Sequence, residues 1–279
     1  MAIKDLLVAY DGNESSNAAV RFAVQMAAKY KASITGMHVY RTEKYESHIR
    51  RWIPPEVMQN LREAESSVEK SIEDTFNAEI KAAKFKGKVK WIAHEGQPDI
   101  LLPRFARYFD MMIAGQFSNV DQSGGGSLSA EELLLRSGKP IITVPRAYET
   151  QPFKEEAAVA WDGSRSAARA LTDAMQILET KKRLDVIRLI SSEEDEDKRV
   201  LPEHDLIAHL EAHGINANLV QLKSGMGSAG RTILDHCAET KPDVLVMGAY
   251  GRGRFGTLLF GSTAQYVLKN MTVPVLMSH

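Results

Sequence analysis

The residues with the clearest chemical potential lie near the C-terminus, in Val244-Leu-Val-Met-Gly-Ala-Tyr-Gly-Arg-Gly-Arg-Phe-Gly-Thr-Leu-Leu-Phe-Gly-Ser262. A short apolar run ends at Gly248, a glycine-rich loop follows, and a helix is expected to open near Ser262. Glycines let a backbone take positive φ and come close to a ligand, while the free N–H groups at a helix start favour anionic oxygens. From Val244 onward there is no Asp or Glu, whereas Arg252, Arg254 and Lys269 are present, so a polyanion meets no like charge from this segment. Gly251-Arg-Gly-Arg-Phe-Gly256 also satisfies the dinucleotide pattern G-x-G-x-x-G. Context rejects that reading: the motif follows the fourth strand of its unit rather than the first, and no acid remains downstream to hold a ribose. Neither this loop nor Gly124-Gly-Gly126 supplies the Lys-[Ser/Thr] of a Walker A loop.

A second chemical feature is Trp161-Asp-Gly-Ser164, where a strand meets a helix. Asp162 can serve there as a ligand contact or as an Asx-type turn residue. Taken together, Gly248-x2-Gly251-x9-Gly261-Ser262 resembles the G-2x-G-9x-G-[S/T] signature of ATP-binding universal stress proteins, and Asp162-Gly-Ser164 resembles that family's turn after its first strand. The resemblance covers nearly the whole chain, taken as two copies. It implies that Gly248, Gly251, Gly261, Ser262 and Thr263 hold the ribose and phosphates of ATP. It further implies that Asp162 faces the nucleoside and that Ala160, Leu189 and Met247 surround the base; Arg252 has the charge and place to approach the phosphates. Mg²⁺ could sit between phosphates and solvent without a dedicated protein carboxylate. The family implies a nucleotide-dependent regulator of stress physiology. A slow ATPase or autophosphorylating enzyme and a nucleotide-free dimerising scaffold are the alternatives, and no general base is evident for efficient catalysis.

These residues need elements to position them, and the chain writes those elements twice. Leu6-Leu-Val-Ala-Tyr-Asp-Gly-Asn13 is echoed by Ala157-Ala-Val-Ala-Trp-Asp-Gly-Ser164, and Lys139-Pro-Ile-Ile-Thr-Val-Pro145 by Thr272-Val-Pro-Val-Leu-Met277. Apolar strands are expected near Leu6–Tyr10, Ser33–Val39, Val89–Ala93, Met111–Ala114 and Ile141–Val144, then near Ala157–Ala160, Arg183–Leu189, Ala217–Gln221, Val244–Met247 and Val273–Met277. Helix-length segments separate them, which implies parallel pairing with right-handed crossovers. The expected fold is α/β, two tandem doubly wound parallel five-stranded sheets with flanking helices, of the universal stress protein and adenine nucleotide hydrolase-like type. The expected domains are residues 1–148, with a degenerate loop, and 152–279, with the intact one. The final strands of the two are candidate sheet edges expected to pair antiparallel as an internal pseudo-dimer.

The first half departs from the signature. Its matching stretch keeps Gly115 but has Ser118 at the second glycine position, and Gly126 or Ser127 falls at the third. Asp121, Glu131 and Glu132 place negative charge where phosphates would lie, so one nucleotide per chain is expected. The polar stretch Arg41–Pro55 and the acidic run Ser191–Lys198 read as solvated connections, with a lid and a weak cation site as their functional alternatives.

Composition bounds the rest. At 279 residues the chain is about twice a usual domain of ~100–150 residues, and a net charge of −1 gives no electrostatic footprint for nucleic acid. No stretch approaches the ~18–20 apolar residues of a membrane span. The single cysteine, Cys237, cannot form an intrachain disulfide and reads as a small core residue; with no evident signal peptide, a cytoplasmic location is expected. His209 and His213 sit at helical i,i+4 spacing with His204 nearby, but two imidazoles on a solvated face do not make a metal site, so none is expected. An adenine nucleotide is the expected partner, with homodimerisation left open.

Overall fold

Strand β1 (Asp5–Ala9) and its counterpart β6 (Glu156–Ala160) are short apolar runs whose alternate side chains enter different cores. Leu6 and Val8 are buried in one layer and Leu7 and Ala9 in the other, as expected of strands covered on both faces. The computed structural model describes residues 3–41, 54–117, 130–190, 203–225, 229–252 and 258–279. The connections Arg41–Pro55 and Ser191–Lys198 fall largely or wholly outside the described residues, as do Ser118, Asp121, Gly126 and Ser127.

The first half continues through α1 (Glu14–Tyr30), β2 (Ser33–Tyr40), α2 (Pro55–Ala82), β3 (Val89–Glu95), α3 (Pro98–Ala106), β4 (Met111–Gly115), α4 (Ala130–Ser137) and β5 (Ile141–Val144). The second continues through α5 (Arg165–Leu178), β7 (Arg183–Ile190), α6 (Glu203–Ala212), β8 (Ala217–Lys223), α7 (Ala229–Thr240) and β9 (Val244–Gly248). It closes with a small hairpin, β10 (Tyr250–Arg252) and β11 (Leu258–Phe260), then α8 (Ser262–Asn270) and β12 (Val275–Ser278). The last strand starts two residues later than the sequence suggests, after Pro274, which has no N–H to offer the ladder.

One ten-stranded sheet runs through the molecule in the order β3-β2-β1-β4-β5-β12-β9-β6-β7-β8. Each half is a parallel five-stranded sheet. The two meet where β12 pairs antiparallel with β5, Val275 opposite Thr143, Leu276 opposite Ile142 and Met277 opposite Ile141. That pairing satisfies two open edges at once, leaving β3 and β8 as the outer strands. Within each half the strand order reverses between its first and fourth strands, β1 and β4 or β6 and β9, and the crevice of a doubly wound sheet opens there.

The segment between the halves is tied down rather than loose. Tyr148 and Phe153 meet the Phe22 ring edge-on at 5.5 and 6.0 Å, and Gln25 Nε2 donates to the Gln151 carbonyl at 2.7 Å. Asp243, just before β9, accepts from the backbone N–H groups of Lys154, Glu155 and Glu156 and pairs with Lys181 at 2.6 Å. Glu155 pairs with Lys29 of α1. Among the described residues no helix is long and apolar enough to cross a membrane.

Candidate functional site

Each half begins its crevice with the same turn. In the second half Gly163 takes φ 68°, a region that side chains with a Cβ rarely adopt, and Asp162 Oδ1 accepts from Ser164 N at 2.9 Å. Ser164 then caps α5, its hydroxyl accepting from Ala167 N at 3.1 Å. The first half repeats this with Gly12 at φ 82° and Asn13 capping α1. The residue after the glycine separates the two turns. Asn13 has a side-chain amide that donates to Asp11 Oδ2 at 2.8 Å while its backbone N–H donates to Oδ1, so both oxygens of Asp11 are used. Ser164 has no such amide, and Asp162 Oδ2 has no partner among the described residues. The Asx turn is therefore present in both halves, and in the second it leaves one exposed carboxylate oxygen over.

The three residues expected around a base come together at the strand ends. Ala160 lies opposite Met247 across the β6/β9 pair and opposite Ile187 across β6/β7; Leu189 lies two residues beyond Ile187. Ala160 and Leu189 are only half-buried, and Met247 lies within the core beneath them. Identical register in the first half identifies the equivalents as Ala9, Val39 and Ala114, which are 6%, 8% and 1% exposed. The same layer of the first half carries Leu101, Phe105, Phe109 and Phe117, bulky side chains packed onto its core. Ala9 and Val39 are thus buried where their counterparts Ala160 and Leu189 are half-buried.

The glycine positions divide by cause. A Cβ on Gly248 would lie 2.5 Å from Ser166 Oγ and 2.7 Å from Ala167 N, so this glycine lets β9 approach the first turn of α5. Gly115 does the same against α1, where a Cβ would lie 2.2 Å from the Ser15 carbonyl oxygen. Retention of Gly115 in the first half is explained by packing alone. Gly251 and Arg252 lie in β10, opposite Leu259 and Leu258, so part of the expected loop is a hairpin. Alternating glycines and the apolar Leu258–Phe260 run hid that pairing from a reading based on periodicity. Gly261 is the N-cap of α8 at φ −65°, ψ 140°, a conformation open to any residue, so backbone strain does not require glycine there.

The helix starts differ in charge. No side chain caps α8, its first turn holds Ser262 and Thr263, and it has no acid. In α4, the equivalent helix, the first turn carries Glu131 and Glu132, the latter 3.4 Å from Arg136. Ser166 Oγ donates to the Tyr250 carbonyl, and Gly261 N donates to the Ala249 carbonyl at 3.2 Å, which ties the starts of α5 and α8 to the chain leaving β9. Tyr250 also reaches the first half, donating to the Glu131 carbonyl at 3.3 Å, and burial pushes its phenol pKa up.

Burial and the neighbouring Asp185 push the Cys237 thiol up to about 12, so it is protonated at neutral pH. His209 and His213 stand edge to face at 4.8 Å, and the described residues hold no group of three His, Cys, Asp or Glu side chains placed for a metal; the His204 side chain is outside them.

A family model described as the universal stress protein family matches residues 2–143 and again 156–279. A universal stress protein of Synechocystis sp. is 28% identical over 171 residues, covering 60% of this chain and 57% of that protein. The solved structure of a universal stress protein from Archaeoglobus fulgidus superposes with a TM-score of 0.69 at 18% identity, covering 98% of this chain and 97% of the other. A functionally unknown protein from Pseudomonas aeruginosa gives 0.59 at 16% identity, covering 99% and 92%. At these identities the solved structures speak for the fold alone.

Proposed function

The chain belongs to the universal stress protein family, and from that premise we propose that it is a stress-response regulator binding one ATP, in the domain spanning residues 152–279. The observation that carries this reading is the contrast at the two switch points: Ala160 and Leu189 remain accessible beside an uncapped, acid-free helix start, whereas Ala9 and Val39 are buried. The adenine ring lies against Ala160, Leu189 and Met247. Asp162 faces the nucleoside with the oxygen its turn leaves over.

The phosphates lie toward Gly248, Gly251 and Gly261 and receive the first-turn amides of α8, with the Ser262 and Thr263 hydroxyls beside them and Arg252 contributing charge. Since Gly261 is not needed for its φ, a ligand passing close to its Cα is what would exclude a side chain there. Mg²⁺ accompanying the triphosphate would have to be held by phosphate oxygens and water, since the segment from Val244 onward has no Asp or Glu. The arrangement binds and orients a nucleotide; among the described residues none is positioned to activate a water, so occupancy rather than turnover is the signal. In this reading the first domain, residues 1–148, is a nucleotide-free partner whose α4 touches the second domain's loop through Tyr250.

Mass spectrometry of small molecules released on denaturing freshly purified protein, followed by calorimetric titration with ATP, tests this. One equivalent of ATP per chain is expected; saturation at two equivalents, or no binding in the second half, would sink it.

A further inference from the structure

A cavity lies at the opposite end of the first half's strands, remote from their carboxyl ends. It measures about 650 Å³ and is lined by Lys4 before β1, Lys31 at the end of α1, and Lys84, Lys86 and Lys88 between α2 and β3. Its floor is apolar, formed by Val24, Ala27 and Ala28 on one face of α1 together with Phe85. No carboxylate lines it. The nearby Asp110 and Asp5 are engaged elsewhere, Asp110 accepting from the N–H groups of Lys4 and Asp5 at 2.6 and 3.0 Å, and Asp5 accepting from the Ser33 hydroxyl at 2.7 Å. None of the five ammonium groups forms an ion pair among the described residues.

Two helices, α1 and α2, end at this cavity, and lysines near helix C-termini offset the dipole. That role does not account for the number. Two C-termini carry roughly half a negative charge each, about one in all, against five full positive charges. The surplus is concentrated in a concave space on a chain whose net charge is −1, and walls of low dielectric focus such a field onto an incoming anion. The volume falls within the ~300–1,000 Å³ of small-molecule sites. Lysine is a mobile point charge rather than a planar fork, so the site selects for charge more than for shape.

We propose that this cavity binds an organic phosphate bearing at least two negative charges, its phosphates among Lys31, Lys84, Lys86 and Lys88 and its uncharged body over Ala27, Ala28 and Phe85. The site is separate from the proposed ATP site and does not depend on it. Calorimetric titration of the full chain with sodium triphosphate tests it, using Gly251→Val to weaken the second-half loop and Lys84→Gln/Lys86→Gln/Lys88→Gln to remove the cavity's charge. Gly251→Val should retain a triphosphate site, and that site should weaken at least about tenfold in the triple variant and with added salt. Lysine acetylation mapped by mass spectrometry on the unmodified chain gives an independent readout, with triphosphate expected to protect Lys31, Lys84, Lys86 and Lys88. Equal triphosphate affinity in the Gly251→Val chain with and without the three lysine substitutions, or acetylation of these lysines unaffected by triphosphate, overturns the proposal. So does triple-variant-sensitive binding of single-stranded DNA that triphosphate cannot displace, since the lysines would then be reading a polymer.

Discussion

The two switch points of this molecule share a turn, a strand register and a glycine, and they differ in almost everything a ligand would meet. Asp11 spends both oxygens on Asn13, Ala9 and Val39 are covered, and α4 opens with two glutamates. Asp162 keeps an oxygen over, Ala160 and Leu189 are partly open, and α8 opens with Ser262 and Thr263. The shared features are those needed to fold a doubly wound sheet, and the differing ones are those that would admit an anion. Duplicated architecture therefore separates structural from binding requirements within one chain.

The largest expected effect concerns the aspartate that precedes the fourth strand in each half. Asp243 holds three backbone N–H groups and the buried Lys181, whereas Asp110 holds two N–H groups at the exposed edge. Asp243→Ala strands a buried ammonium and should cost about 3 kcal/mol. Asp110→Ala should stay within about 1 kcal/mol. Urea denaturation of the two variants measures the gap, and equal losses would mean that Lys181 finds full compensation from Glu155, 3.6 Å away.

Gly115→Ala and Gly248→Ala should each destabilise by about 1–3 kcal/mol, because both Cβ atoms meet the first turn of a helix. Comparable losses in the two halves would establish that this glycine serves packing in both. A stable Gly248→Ala variant that loses only ATP would instead assign Gly248 to the ligand.

In binding, Gly251→Val and Gly261→Val should each weaken ATP at least about tenfold, or ~1.4 kcal/mol, and Asp162→Ala less. Calorimetry on variants with unchanged circular dichroism checks this; wild-type affinity in both glycine variants would remove the site from the second half. The smallest effect is at Cys237. Its thiol, buried and pushed up to about 12, should resist alkylation at neutral pH until the chain is unfolded, and rapid labelling of the native protein would show that α7 opens.

Much of this was legible in the residues. The strand spans followed from apolar runs and from Asp-Gly turns, and the antiparallel joint between Ile141–Val144 and the final strand followed from both being unpartnered edges. The β10/β11 hairpin did not show, since three-residue strands are too short to carry a period. Gly261 was legible as a glycine with a spacing but not as one whose φ any residue could adopt. Sequence alone determined the repeat, the α/β order, the loop spacing and the absence of acids after Val244, because these are properties of neighbouring residues. Only the tertiary structure decided that Gly248 faces Ser166, that Lys181 meets Asp243, that Ala160 is half-buried while Ala9 is buried, and that lysines from three segments surround one cavity. Each of these is a distance between groups far apart along the chain, set by how strands cross over and helices pack, and no local pattern encodes it.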